Sequence, residues 1–396
     1  MGLEFKKSNT EREELRVSEI WSRKLLTYAD GFCELAKSYD TECCETWGED
    51  KAEYLTDYRL WENRQMVRSQ LEKAGNLLKQ VAGEVLKYRP MESRKSKLLH
   101  RELAAEGIGV SDPCYITGEE GRERLAMILK VEKGGAVPAE EVVNMISVLL
   151  NRRMVLSANS PMLVERTPHT FCLEEEPRYV MLTGFARAAR EGAVTSGDST
   201  LVTYPERGKA VVLLSDGTGS GEQAGRDSER VLELMDKFLE ADCTPETAAS
   251  LVNNAFFLMG EDDKHPTLDM GEIDLYNGEV NVTKIGGAVS FLKRDREVKV
   301  LQRESLPLGA VGEIEACSIR DTMQEGDFLV MISDGVADAF TEMDYERGLC
   351  ACLGEMREQN PGELAKQLLR MAIIAGGGHV RDDMTVAVAG IWCACS

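Results

Sequence analysis

Four short acidic segments hold the residues of this chain best suited to chemistry. They are Ser196-Gly197-Asp198, Ser215-Asp216-Gly217, Ser333-Asp334-Gly335 and Arg381-Asp382-Asp383-Met384-Thr385. The second and third follow apolar runs, Val211-Val212-Leu213-Leu214 and Phe328-Leu329-Val330-Met331-Ile332, and the fourth precedes Val386-Ala387-Val388-Ala389. Short apolar runs bounded by glycine are expected to be buried strands. An aspartate at the end of such a strand is costly unless something neutralises it. Several together repel and raise one another's pKa, which makes a shared cation the simplest compensation. Any one of them alone fits a turn or a helix cap, a common use of aspartate. The set of four is what points to chemistry.

All-oxygen, carboxylate-rich sites suit hard cations, so the expected metal is Mg²⁺ or Mn²⁺. The chain has four histidines, His100, His169, His265 and His379, and no His-x-x-x-His pair, which argues against a zinc hydrolase. Two hard cations can bind a phosphate oxygen and acidify a bridging water, which would hydrolyse a phosphomonoester without a protein nucleophile. The stretch Asp216-Gly217-Thr218-Gly219-Ser220-Gly221-Glu222-Gln223-Ala224 reads as a strand entering a glycine-spaced loop and then a helix. It is not a dinucleotide loop, because the third glycine is misplaced and Asp216 would repel a pyrophosphate. It is not a P-loop, because no Gly-Lys-Ser/Thr follows.

The elements that must position these residues are partly visible. Strands are expected at 179–183, before Asp216, and at 271–275, 280–284 and 288–292, with a hairpin turn at Asn277-Gly278. Helices are expected at roughly 222–241 and 245–259, the second started by Thr244-Pro245. Hairpins with an inserted helix pair indicate an α+β layered domain and not a doubly wound parallel sheet. Upstream, Leu25, Ala29, Phe32, Ala36 and Tyr39 share one helical face, and Leu71, Ala74, Leu78, Val81 and Val85 share another, with Pro90 beyond. Those stripes fit a helical hairpin or a dimerising coil. Between them and the acidic segments lie a strand candidate, 125–129, and a helix candidate, 139–152. The expected division is a helical regulatory segment (1–100), a small α/β module (101–175) and a catalytic domain (176–396).

Composition sets the outer limits. With 396 residues, 43% of them hydrophobic, the chain can bury a sizeable core. A formal net charge of −21 argues against nucleic-acid binding and anionic-membrane binding. The 11 cysteines include no Cys-x-x-Cys and read as free thiols of a reducing cytoplasm. No stretch nears the ~18 apolar residues of a membrane span. The expectation is a cytoplasmic protein, or the cytoplasmic part of a longer, membrane-anchored one.

Taken in order, Ser-Gly-Asp, Ser-Asp-Gly-x-Gly-x-Gly-x-x-Ala, Ser-Asp-Gly and Asp-Asp-Met-Thr resemble the metal-dependent (PPM, type 2C) serine/threonine phosphatases. Residues 28–36, 184–199 and 305–309 resemble a sporulation-control branch of that family, and the likeness spans roughly 20–396. The resemblance implies an α-β-β-α sandwich holding two Mn²⁺ or Mg²⁺ ions. Asp216 would bridge both, the Gly217 carbonyl would add a ligand, Asp334 and Asp382 would complete one site, and Asp198 would hold the other. It also implies a phosphoserine substrate on an anti-sigma-factor antagonist, regulation through the helices between Glu222 and Met259, and a homodimer. Thr218 stands where the branch often has methionine, and no arginine is evident where many relatives bind phosphate. Two alternatives remain at this point: a phosphatase-fold scaffold without turnover, and an anti-sigma-type kinase, whose Asp-x-Gly-x-Gly box is out of phase here.

Overall fold

The computed structural model describes residues 25–37, 51–84, 88–117, 123–157, 160–205, 208–241, 243–259, 265–312, 317–340 and 345–394. The expected stripe positions Tyr39 and Val85 lie outside them. The chain divides into two compact units, Met1–Glu176 and Pro177–Ser396.

In the first unit, helix α1 (25–37) is followed by the long α2 (Lys51–Glu84). The two pack closely: a Cβ on Gly75 would lie 2.8 Å from the Cys33 Sγ and 2.9 Å from the Ala29 carbonyl oxygen. Ala29 and Ala36, two positions of the expected stripe, are buried. Then come β1 (Tyr88–Pro90), α3 (Ser93–Ala105), β2 (Ile108–Thr117), β3 (Glu123–Val131), β4 (Val137–Pro138), α4 (Ala139–Leu150), β5 (Met154–Leu156), β6 (Leu163–Val164) and β7 (His169–Glu175). Five strands form an antiparallel sheet in the order β1-β2-β3-β7-β5. Alternate residues of β3, Leu125, Met127 and Leu129, share one core with Leu99 and Leu103 of α3 and Val142 and Ile146 of α4. The boundary expected at residue 100 therefore falls inside α3, whose apolar side belongs to this sheet.

The second unit contains β8 (Tyr179–Ala188), β9 (Asp198–Thr203), β10 (Lys209–Asp216), α5 (Glu222–Glu240), α6 (Pro245–Met259), β11 (Leu268–Asp274), β12 (Glu279–Ile285), β13 (Ser290–Arg294), β14 (Glu297–Leu301), β15 (Cys317–Thr322), β16 (Phe328–Ile332), α7 (Asp334–Asp338), α8 (Tyr345–Glu355), α9 (Pro361–Ala375) and β17 (Met384–Cys393). Its strands make two antiparallel sheets, β15-β12-β11-β10-β9 and β14-β13-β16-β17-β8. Ala210, Val212 and Leu214 of β10 meet Leu329 and Met331 of β16 and Ala387 and Ala389 of β17 between the sheets. Val330, Val386 and Val388 point the other way, onto Leu349 and Leu353 of α8 and Leu364 and Leu368 of α9. Helix α5 covers β9 and β10 on the outer face of the first sheet, and α6 packs against α5. The layers are α-β-β-α, the α+β sandwich that the resemblance implied.

Local chemistry explains the boundaries. Asn360 caps α9, its side-chain oxygen accepting from the Gly362 and Glu363 amides, with Pro361 in the first turn. Thr244 Oγ1 accepts from the Thr247 amide at the start of α6. Gly278 turns the β11–β12 hairpin at φ +80°, where a side chain would be strained. The expected strand 288–292 begins two residues later, after Gly286-Gly287, because the Ala288 carbonyl turns to accept from the Lys284 ammonium.

One polar tie crosses the sandwich. Lys284 and Asp269 are cross-strand partners, fully buried, with Nζ 2.7 Å from the carboxylate. The ammonium also donates to Ser290 Oγ of the opposite sheet at 2.7 Å. Burial pushes the Asp269 carboxyl up and the Lys284 amine down, while their mutual attraction opposes both shifts. Removing one partner of a buried pair leaves the other uncompensated. Asp269→Leu is therefore expected to lower the unfolding free energy by about 3–5 kcal/mol, and Asp269→Leu with Lys284→Met to recover most of it. Chemical denaturation of the three proteins checks this.

Candidate active site

The two sheets present their carboxylates at one end of the sandwich. Asp216 ends β10 and Asp198 begins β9, and the register makes them direct cross-strand partners. Asp334 begins α7 immediately after β16, so it is a helix-start residue and not strictly a strand end. Asp382 lies two residues before β17. Burial is graded: Asp198 is 1% exposed, Asp216 is half-buried, and Asp334 and Asp382 are exposed.

Glycines permit the close approaches. A Cβ on Gly217 would lie 2.1 Å from the Ala224 carbonyl oxygen, which seats the acidic loop on the first turn of α5. Gly219 and Gly221 adopt φ of +84° and +89°, which glycine tolerates without strain. A Cβ on Gly335 would lie 2.2 Å from the Asp383 carbonyl oxygen, so glycine is required where the loops carrying Asp334 and Asp382 meet. Thr218 has a specific contact: its Oγ1 accepts from the His265 amide at 2.6 Å.

The Asp-Asp doublet divides its labour. Asp383 is buried and its carboxylate accepts from the Gly197 amide at 2.6 Å and the Arg190 amide at 2.8 Å, tying the lead-in to β17 to that of β9. Asp382 faces outward and its Oδ1 accepts from the Asp383 amide at 2.9 Å. Ser333 Oγ accepts from the Thr385 amide at 2.8 Å, and Ser228 Oγ of α5 donates to the Gly197 carbonyl at 2.7 Å. The main chain of Asp216 is held by Thr267: its amide donates to Thr267 Oγ1 at 3.2 Å and its carbonyl accepts from the Thr267 amide at 2.8 Å. Thr267 and the tying role of Asp383 had no sequence signal beyond the doublet itself.

The electrostatics set this cluster apart from the rest of the core. Burial first, then the charges of Asp198 and Asp334, push the Asp216 carboxyl up to about 11. Burial also raises Asp198, and no hydrogen bond of ordinary length reaches either of its buried oxygens, although Thr385, Asp216 and Ser333 lie close enough to act on its charge. Asp338, at the end of α7, is raised by burial and by the charges of Asp334 and Asp382. Beside Asp382 opens a cleft of about 520 Å³, lined among others by Gly335, Asp338, His379 and Arg381. Arg190 reaches the rim of the acidic loop, its guanidinium 3.3 Å from Ser220 Oγ.

Among the described residues, no three His, Cys, Asp or Glu side chains stand close enough to chelate one ion as they are. The donor set nonetheless fits a hard divalent cation. It is all carboxylate oxygen, two of those oxygens are buried without partners, and no Lys or Arg pairs with Asp198 or Asp216 among the ion pairs of the described residues.

The sandwich and its acidic end define a fold of the PP2C class. The fold matches a solved structure of the PP2C phosphatase domain and a fragment of the regulatory domain of SpoIIE from Bacillus subtilis, with a TM-score of 0.62 at 23% identity over 86% of this chain and 99% of that one. Residues 206–391 match the family model of stage II sporulation protein E (SpoIIE). The chain is 28% identical over 343 residues to stage II sporulation protein E of Priestia megaterium, and 24% identical over 377 residues to that of Bacillus subtilis strain 168. Those alignments cover 86% and 93% of this chain but 58% and 45% of the relatives' lengths. Over most of its length the second unit is similar to stage II sporulation protein E, and its fold is that of a PP2C phosphatase domain. No helix among the described residues is long and apolar enough to cross a membrane.

A carboxyl whose folded-state pKa is raised holds more protons folded than unfolded between the two values, so stability falls as pH rises through that window. For Asp216 the window runs from its ordinary 3.8 up to about 11. Held in chelator, the chain is expected to melt at a lower temperature near pH 8 than near pH 5.5, and Asp216→Asn to narrow that gap, since the amide does not titrate. Thermal melts of both proteins at the two pH values check this. An unchanged gap would place the pH sensitivity elsewhere.

Proposed function

We propose that the chain is a metal-dependent protein phosphatase that hydrolyses phosphoserine, with an anti-sigma-factor antagonist as its substrate in the control of sporulation. One observation carries the reading. Asp198 and Asp216 are cross-strand partners at the mouth of the sandwich, and no basic side chain neutralises them among the ion pairs of the described residues, whereas Asp269, as buried as Asp198, has Lys284. The similarity to stage II sporulation proteins E supports the phosphatase class and the sporulation setting.

On this reading Asp216 and the Gly217 carbonyl, with Asp334 and Asp382 on one side and Asp198 on the other, would hold two Mn²⁺ or Mg²⁺ ions. The ions, when bound, polarise a phosphate oxygen and acidify a water, which is the chemistry a phosphomonoester needs. The protein's own share is placement. Asp383 and the Gly197 amide hold the two sheet ends together, Thr267 sets the main chain of Asp216, and the exposed Asp334 and Asp382 leave the cleft open to a protein-borne phosphate. Neither nucleic acid nor a membrane span enters the scheme. The setting is cytoplasmic, and the α1–α2 hairpin is the candidate homodimer surface, with Leu26, Tyr28 and Leu35 exposed on α1.

Asp216→Asn is expected to lower phosphoserine hydrolysis about 100-fold or more, because losing a ligand should exceed the 10–100-fold cost typical of its supporting partners. Turnover of a phosphorylated antagonist protein, measured with Mn²⁺ and with chelator, checks it. Equal turnover in chelator, or in the variant, would sink the reading.

A further inference from the structure

Asn253 is an unusual residue for the middle of a helix. It lies on α6, is fully buried, and makes three side-chain hydrogen bonds to one loop. Its amide nitrogen donates to the Val311 carbonyl at 3.0 Å and the Gly312 carbonyl at 3.3 Å. Its Oδ1 accepts from the Gly309 amide at 2.8 Å. The loop sits directly on the helix: Gly309 has φ +75°, and a Cβ there would lie 3.1 Å from the main chain and side chain of Phe256. A buried side-chain amide is costly unless all its groups are paired, so this arrangement fixes one loop conformation against α6.

The loop does not end its contacts there. The Leu308 amide, adjacent to Gly309, donates to the Pro266 carbonyl at 2.9 Å. The next residue, Thr267, holds both the amide and the carbonyl of Asp216 and accepts from Ser215 Oγ at 2.7 Å. A second strut runs alongside: Ser305 Oγ donates to the Lys284 carbonyl at 3.0 Å and accepts from the Gly286 amide at 2.9 Å. Each link is a hydrogen bond or one covalent step, so the α6 side chain reaches the Asp216 main chain without a gap.

We propose that Asn253 is a positioning residue for Asp216, acting through residues 308–309 and 266–267 to set where that carboxylate stands. The proposal rests on the metal-dependent reading of the site for its consequence, though the relay itself is independent of any metal. It assigns α6 a defined grip on the cluster, distinct from its packing against α5. It also explains a polar residue at a fully buried helix position where an apolar one would pack without constraint.

The test compares Asn253→Ala with Val252→Ala, a truncation of the neighbouring buried residue on α6 that removes no hydrogen bond to the loop. Both are studied in the full chain at a temperature where circular dichroism shows them folded. Calorimetric titration with Mn²⁺ is expected to show affinity weakened about 10-fold or more in Asn253→Ala and little changed in Val252→Ala, the range typical when a supporting partner of a metal ligand is lost. Hydrogen exchange is expected to speed up at the Leu308, Gly309, Thr267 and Asp216 amides in Asn253→Ala alone. Unchanged Mn²⁺ affinity in the parent-like range, or equal effects in both variants, overturns the proposal. If the parent chain itself binds no Mn²⁺, the metal reading fails, and the exchange pattern alone then decides the relay: acceleration confined to Asn253→Ala upholds it, and its absence refutes it.

Discussion

The structure is organised around mutual repulsion between carboxylates gathered at one end of a β-sandwich. Among the described residues of the same unit, three other aspartates are buried, and all are compensated. Asp269 faces an ammonium at 2.7 Å, Asp327 faces the Arg294 guanidinium at 2.7 Å, and Asp383 accepts from two main-chain amides. Asp198 and Asp216 have no such partner, and their carboxyls are raised accordingly. A fold that compensates three buried acids and leaves two cross-strand partners facing each other concentrates its electrostatic strain at a single place. Perturbed groups of this kind cluster at functional sites.

The rest of the domain serves to keep those groups from moving apart. Apolar interdigitation supplies most of the stability, with each buried Leu, Val or Ile worth about 1.5–3 kcal/mol. It is non-directional, however, and cannot set a carboxylate to within a fraction of an ångström. That falls to the polar contacts: the Lys284–Asp269–Ser290 tie between the sheets, the Asp383 clamp on residue 197, and the Thr267 hold on Asp216. Glycines at 217 and 335 let neighbouring main chains approach where any side chain would collide. Remote residues such as Asn253 thereby acquire a connection to the site that their distance in sequence would not suggest.

Much of this was legible in the sequence where one physical signal dominated. The apolar runs before Asp216 and Asp334 are strands because both of their faces are buried, and α5 and α6 fall within a residue of their expected limits because caps and glycines mark them. The α+β layering followed from hairpins interrupted by helices. Less visible were β9, whose polar Ser199 and Thr200 hide its strand character, and the edge strand β14, whose exposed Glu297 and Lys299 are solvent-facing alternates. The resemblance named Asp382 alone of the Asp382–Asp383 doublet, and the tie that Asp383 makes to Gly197 and Arg190 was silent because it joins distant segments. Thr267, Asn253 and the Asp269–Lys284 pair were silent because their roles depend on contacts between distant segments.

Crystals grown in Mn²⁺ and measured for anomalous scattering at the manganese edge address the core claim most directly. The account predicts paired anomalous peaks bounded by the carboxylates of Asp198, Asp216, Asp334 and Asp382. Well-diffracting crystals at saturating Mn²⁺ with no peak there, or with manganese bound only elsewhere on the chain, would contradict it.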